Sequence, residues 1–326
     1  MTNEIKVIFP SLSINVTDNC NLQCIYCPPF GENFVKCKNL CSINSIVNLV
    51  SLACKYKLPV IRLTGGEPLL FPERVEKILH ACKKSNYSKV ILNTNGTLIK
   101  KNIDLLETYK DIFLLKISLD TVDNEMYNVI TRTQKYYTEV IEALELAVER
   151  NFKVELNAVI TKTNFDGIIN LIDFAESSGI DIKLFGINNF EGKVSGDLYA
   201  PLDDIVNVLD KLYIRCEKEG LPGDRGIKML KYNTFNGNRI LIVDHNSKSK
   251  FNNEEKSYAV FCQSCNYYPC ASGLFSITLR ADGLLQTCRM RPEKGKSISN
   301  LNEKEIDRIF ATILEPYKEC YLLKEE

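Results

Sequence analysis

Three cysteines fall within eight residues of "NVTDNCNLQCIYC": Cys20, Cys24 and Cys27. Thiols at that density serve one of three chemistries: a disulfide scaffold, half of a zinc site, or the anchor of an iron–sulfur cluster. A structural zinc takes four protein ligands, often as Cys-x2-Cys pairs with histidine. Here one loop offers three thiols, and the chain has only His80 and His245. A Cys-x3-Cys-x2-Cys run lets three thiolates take three corners of a [4Fe–4S] cube and leaves one iron open. A second group, Cys262, Cys265, Cys270 and Cys288, lies toward the C-terminus. Four thiolates close a cluster coordinatively, as in an electron relay or a structural staple, and a four-cysteine set with a Cys-x2-Cys pair fits zinc as well. Of the other cysteines, Cys54, Cys82, Cys216 and Cys320 read as small buried hydrophobes, with Cys320 a substitute ligand for the second group. Cys37 and Cys41 stand apart because they follow the first group closely.

The bulk of the chain sets the context for these thiols. Its 326 residues carry 41 basic and 41 acidic side chains, so no net charge directs it to nucleic acid. The N-terminus lacks a basic segment followed by an apolar run, and no apolar stretch reaches the about 18 residues of a membrane span. We therefore expect a cytoplasmic protein with no membrane partner, in which thirteen cysteines are not a disulfide framework.

The elements that must position the thiols alternate. "LSINV" is an expected strand and "SINSIVNLVSLACKY" has helical spacing. "PVIRLTGGEP" is a strand entering a Gly-rich turn, and "PERVEKILHACKKS" is a helix with proline in its first turn. The pattern continues through "KVILNTNGT", "FLLKISLD", "KVELNAVIT" and "IDIKLFGIN" as strands with helices between them. Six strand–helix repeats with near-continuous apolar strands predict an α/β fold whose parallel sheet is covered on both faces. Polar residues gather at the strand ends: the cysteine loop, Gly65 to Pro68, Asn95, Ser118 with Asp120, and Asn157. Several strands contributing to one rim favours a partial (β/α)6 barrel of TIM type over an open doubly wound sheet. Farther on, "PLDDIVNVLDKLYIRCEKEG" reads as a helix, an Asn-rich linker holds one strand, and "LFSITLRADGLLQTCRM" is a hairpin turning at Asp282-Gly283 before a last amphipathic helix.

Cys20-x3-Cys24-x2-Cys27 with Tyr26 before the third cysteine, together with "LTGGEPLL" after the second strand, resembles the radical SAM superfamily. That resemblance implies a [4Fe–4S] cluster on the three cysteines, with its open iron binding S-adenosylmethionine. It implies reductive cleavage of that cofactor to a 5′-deoxyadenosyl radical, hydrogen abstraction from a substrate, and an external electron donor of flavodoxin or ferredoxin type. It places Tyr26, Gly65, Gly66, Glu67 and Pro68 about the cofactor, Glu67 near its ammonium, with Asn95, Ser118, Asp120 and Asn157 where the family contacts ribose, carboxylate or substrate.

Within the superfamily, "VTDNCNLQCIYC", "IRLTGGEPLL", "NTNGTLI", "SLDTVDNEMYNVITR" and "LNAVITK" are similar to the molybdenum-cofactor GTP 3′,8-cyclase branch. Ser13, Glu155, Ser276 and Thr278 stand where that branch carries its GTP-holding arginines and lysine, so the resemblance does not carry GTP over as substrate. Cys270-x12-Gly283-x4-Cys288 resembles the SPASM and twitch auxiliary domains, implying a second [4Fe–4S] cluster on Cys262, Cys265, Cys270 and Cys288. The expected domains are a barrel over 1–190, a helical and linker elaboration over 191–260, and an auxiliary cluster domain over 261–326. The expected substrate is a small molecule such as a nucleoside, sugar or amino sugar, with Glu32 and Asn33 beyond the cysteine loop reporting on it. Two alternatives are a maturase of a ribosomally made peptide, whose recognition module would be a separate chain because strand one begins near residue 11, and a non-catalytic iron–sulfur or zinc scaffold.

Overall fold

The computed structural model describes residues 6–7, 11–27, 37–87, 89–187, 198–216, 230–243, 257–258, 276–287, 295–315 and 321–322. Cys262, Cys265, Cys270, Cys288 and Cys320, and also Glu32 and Asn33, lie outside the described residues.

The six expected strand–helix repeats are present. They are β1 (Ser11–Thr17), α1 (Ile43–Lys55), β2 (Ile61–Gly65), α2 (Pro72–Lys84), β3 (Val90–Thr94), α3 (Ile103–Tyr109), β4 (Phe113–Ser118), α4 (Asn124–Thr131), α5 (Tyr137–Glu149), β5 (Val154–Ile160), α6 (Ile168–Ser177) and β6 (Asp181–Gly186). Pro72 opens α2 at a position where its missing N–H costs nothing, and Gly179, at φ 70°, follows the end of α6. β1 to β6 pair in sequence order, all parallel, as right-handed strand–helix–strand units require.

The sheet extends beyond six strands. After α7 (Asp203–Leu212) come β7 (Leu230–Asn233) and β8 (Arg239–Val243), and β8 adds parallel to β6 while pairing antiparallel with β7. On the opposite edge β9 (Ser276–Leu279) adds parallel to β1, and β10 (Leu284–Gln286) folds back on it. The hairpin turns where the sequence indicated, with Gly283 at φ 90° and the Asp282 carboxylate accepting from Leu284 N at 3.1 Å. Helix α7 stops sooner than its sequence suggests, because Ile214–Cys216 instead pairs with β7 as an edge strand.

Alternate residues of each strand face opposite ways, and the two faces differ sharply. Leu12, Ile14, Ile61, Leu63, Leu92, Leu115, Ile117, Leu156, Ala158 and Leu184 are wholly buried in one core with Ile46 and Leu49 of α1, Ile78 and Leu79 of α2, Val140 of α5 and Leu171 of α6. Each such aliphatic side chain contributes about 1.5–3 kcal/mol by leaving water. The other face carries Ser13, Asn15, Arg62, Thr64, Asn93, Lys116, Ser118, Glu155, Asn157 and Lys183. The expectation of strands apolar on both faces is therefore corrected. Helices cover only the outside, and the inside of the partial barrel is a polar lumen.

The last helix, α8 (Glu303–Leu314), starts with a capping box between Asn302 and Glu305 and docks on α1. Phe310 is fully buried and meets Tyr56 edge-on at 5.5 Å. Among the described residues no helix is long and apolar enough to cross a membrane.

Candidate active site

The cysteine loop leaves β1 after Thr17 and is held from two sides. Gly66 N donates to Thr17 O at 2.7 Å and Glu67 N to Asn19 O at 2.8 Å, which fastens the Gly-Gly turn beneath the start of the loop. A Cβ on Gly65 would lie 2.2 Å from Thr17 O, and one on Gly66 2.0 Å from Asn19 O. The close approach at this turn is thus made by the chain's own backbone. From the other side, Gln23 N and Ile25 N donate to Thr131 O and Ile130 O at 3.2 and 2.9 Å, using carbonyls at the C-terminus of α4 that have no partner within the helix.

Cys20, Cys24 and Cys27 line one cavity of about 340 Å3 together with Tyr26, Gly65, Gly66, Asn95, Ser118, Asp120 and Asn157. Among the described residues no three His, Cys, Asp or Glu side chains converge on a single ion. Cys20 Sγ accepts from Leu22 N at 3.4 Å and from Asn95 Nδ2 at 3.7 Å. Burial pushes the Cys24 thiol far up, with Asp120 adding to the effect, so Cys24 is a neutral thiol until a metal displaces its proton.

Asn95 is itself locked. Its Nδ2 also donates to Asn21 Oδ1 at 2.9 Å, its Oδ1 accepts from Thr97 Oγ1 at 2.7 Å, and Asn21 Nδ2 closes the ring on Thr97 Oγ1 at 2.8 Å. Tyr26 Oη donates to Asp120 Oδ2 at 2.6 Å while Asp120 Oδ1 accepts from Val159 N at 2.8 Å, which ties the cysteine loop to β5. Burial raises Asp120 to about 6, opposed by these two hydrogen bonds. Asn164 supports it from beneath, its Nδ2 donating to Asp120 O at 2.8 Å and Val159 O at 3.0 Å. Ser118 and Asn157 stand opposite each other in register, and Asn157 Oδ1 is buried with no hydrogen-bond partner.

Two expected residues do not line this cavity. Glu67, wholly buried, accepts from Leu69 N at 2.9 Å, Thr94 Oγ1 at 2.8 Å and Asn95 N at 2.7 Å. It brackets the turn to the end of β3, and burial lifts its carboxyl to about 7 against those three bonds. Pro68 is buried as the first residue of a short 3-10 turn over Pro68–Leu70. Residues that were not expected and do line the cavity include Thr64, Asn93, Tyr127, Thr131 and Phe185. Thr64, Asn93 and Phe185 share the strand-alternation phase of Arg62, Ser118 and Lys183, a signal present in the sequence.

Comparison with known proteins adds to this geometry. Residues 14–175 match the family described as the radical SAM superfamily. The chain is 28% identical over 300 residues to a GTP 3′,8-cyclase of Aquifex aeolicus (strain VF5), covering 90% of this chain and 86% of that protein. A GTP 3′,8-cyclase of Clostridium perfringens (strain SM101 / Type A) is 27% identical over 326 residues, covering 97% and 93%. Among solved structures, Streptococcus suis SuiB bound to S-adenosylmethionine superposes with TM-score 0.66 at 18% identity, covering 94% of this chain and 68% of that one. The anSMEcpe protein with bound AdoMet and Cp18Cys peptide gives TM-score 0.62 at 18% identity, covering 96% and 83%. At those identities the two structures share the fold.

Proposed function

We propose that this chain, an enzyme that matches the radical SAM superfamily over residues 14–175, abstracts hydrogen from a small polar molecule held in the barrel lumen. The observation that carries the reading is the junction of two cavities. The cysteine-lined cavity and a second one deeper in the barrel share Asn93, Asn157 and Phe185. Groups held at the cysteines and a molecule in the lumen would therefore face each other across those three side chains.

The residues fit the superfamily's cofactors. Cys20, Cys24 and Cys27 would hold a [4Fe–4S] cluster, and two N–H donors already aim at the Cys20 sulfur, an arrangement that favours a thiolate ligand and tunes cluster potential. Bound there, the cluster and S-adenosylmethionine supply one-electron reductive cleavage and hydrogen abstraction. The protein's part is positional. Glu67 orients Asn95, Asn95 orients Cys20, and Asp120 clamps Tyr26 beside Cys27. Ser118 offers a hydroxyl, and the unpartnered Asn157 Oδ1 offers an acceptor, to polar groups in the cavity. The reductant is an external electron donor of flavodoxin or ferredoxin type.

The second cluster is proposed on the sequence, with Cys262, Cys265, Cys270 and Cys288 as ligands; strand β10 ends two residues before Cys288. The reading is tested by incubating reconstituted, dithionite-reduced protein with S-adenosylmethionine and measuring 5′-deoxyadenosine. Formation of that product is expected, and its absence from fully loaded protein refutes the enzyme assignment. Iron content near eight per chain supports two cubes, whereas about four with bound zinc assigns zinc to the second site.

A further inference from the structure

Helix α4 supplies more to the cysteine loop than its last carbonyls. Gln23 N and Ile25 N, the amides on either side of Cys24, donate to Thr131 O and Ile130 O, so Cys24 is held at the final turn of α4. Residues three and four positions apart share a helix face, and one turn before Ile130 and Thr131 that face carries Tyr127. The two turns are tied together, Thr131 Oγ1 donating to Tyr127 O at 2.7 Å. Tyr127 lines the cavity of the three cysteines and is 3% exposed. Its ring packs edge-on against Tyr137 at 5.6 Å, and Tyr137 Oη donates to Val122 O. The Tyr127 hydroxyl, by contrast, is buried with no hydrogen-bond partner among the described residues. A buried hydroxyl left in that state is unfavourable, and in a binding site it points to a group that completes it. After burial itself, the charges that act most on this phenol are Cys24 and then Asp120. Both Asp120 oxygens already accept, from Tyr26 Oη and Val159 N.

Resting on the reading that the three cysteines hold a [4Fe–4S] cluster, we infer that Tyr127 is a positioning residue for it, its hydroxyl donating a hydrogen bond to the sulfur of Cys24. A tyrosine hydroxyl is a protonated donor at neutral pH. A donor at a ligand sulfur stabilises the added electron of a reduced cluster and so raises its potential. Cys20 has two such donors in Leu22 N and Asn95 Nδ2, and Tyr127 provides one for Cys24. The bond orients the Cys24 sulfur and, with Asn95 acting on Cys20, sets how readily the cluster accepts its electron.

Tyr127→Phe keeps the ring and its contact with Tyr137 and removes only a hydroxyl that bonds nothing among the described residues. The reconstituted full chain is titrated potentiometrically with detection by electron paramagnetic resonance. The signal followed is the [4Fe–4S] signal that disappears when Cys20, Cys24 and Cys27 are all replaced by alanine. Tyr127→Phe is expected to shift the one-electron equilibrium toward the oxidised cluster about tenfold, a fall in potential of about 59 mV. Tyr137→Phe, which loses the neighbouring hydroxyl outside the cavity, should keep the wild-type potential. Electron–nuclear double resonance in deuterium oxide should show an exchangeable deuteron coupled to the wild-type cluster and missing in Tyr127→Phe. An unchanged potential in Tyr127→Phe, an equal fall in Tyr137→Phe, or deuteron couplings identical in wild type and Tyr127→Phe would overturn the inference while leaving the cluster reading in place. A wild-type protein that forms no such [4Fe–4S] signal refutes the cluster reading and the inference with it.

Discussion

Glu67 is the residue whose surroundings make the sharpest stability prediction. It is fully buried, three donors point at it, and its carboxyl sits at about 7 rather than the ordinary 4.5. An acid whose folded value is raised binds more protons folded than unfolded between those two pH values, so stability falls as pH climbs from about 4.5 to about 7. A difference of about 2.5 units corresponds to about 3 kcal/mol, lost above neutral pH and recovered in acid. Glu67→Gln does not titrate, but its Nε2 cannot accept from a backbone N–H, so a donor at Leu69 or Asn95 loses its acceptor at about 1–3 kcal/mol. It should be less stable than wild type by that amount near pH 4.5, and the difference between the two should move in its favour by about 3 kcal/mol on going to pH 8. Glu67→Ala strands the Leu69 and Asn95 amides and the Thr94 hydroxyl, at about 1–3 kcal/mol each, and should be the less stable variant throughout. Urea denaturation of the iron-free chain, followed by circular dichroism at several pH values, measures both. Comparing wild type with Glu67→Gln cancels the contribution of Asp120, which shifts in the same direction. Parallel pH profiles for wild type and Glu67→Gln, or an Ala variant as stable as wild type, would refute the reasoning.

Four further perturbations probe the scaffold. Gly66→Ala drives a methyl to within 2.0 Å of Asn19 O and should cost about 3 kcal/mol or more, seen as a large drop in thermal midpoint. Asn164→Ala removes four hydrogen bonds of 2.8–3.0 Å, two made by its Nδ2 and two accepted by its Oδ1 from Thr161. It should cost about 3 kcal/mol and also weaken S-adenosylmethionine binding in calorimetry through Asp120. Phe310→Ala empties the α1–α8 contact and should cost about 3–5 kcal/mol, while Lys55→Ala at the exposed pair with Asp307 should leave the denaturation midpoint unchanged.

Much of this architecture was legible because its signals are local. The Cys-x3-Cys-x2-Cys spacing, the Gly-Gly turn, Pro72 at a helix start and the Asp282-Gly283 turn each follow from a few neighbouring residues. The lumen was less legible. "FLLKIS" and "KVELNAVI" look apolar as runs, yet Lys116, Ser118, Glu155 and Asn157 fall on one phase of the alternation, which becomes a polar interior only once the sheet curves. Pairing of β8 with β6 and of β9 with β1 joins residues far apart in sequence, so no local pattern announces it. Glu67 was singled out by the family resemblance, and tertiary geometry adds what no local pattern shows, that its carboxylate accepts from Leu69, Thr94 and Asn95.

The central claim is that three cysteines hold a cluster whose remaining iron is kept for S-adenosylmethionine. Electron paramagnetic resonance of the reduced, reconstituted protein tests it most directly, with and without S-adenosylmethionine and with Cys20, Cys24 and Cys27 all replaced by alanine. The account predicts a reduced [4Fe–4S] signal in wild type that changes when S-adenosylmethionine is added, and loss of that responsive signal in the triple variant. A signal in wild type indifferent to S-adenosylmethionine, or a responsive signal surviving in the triple variant, would contradict it.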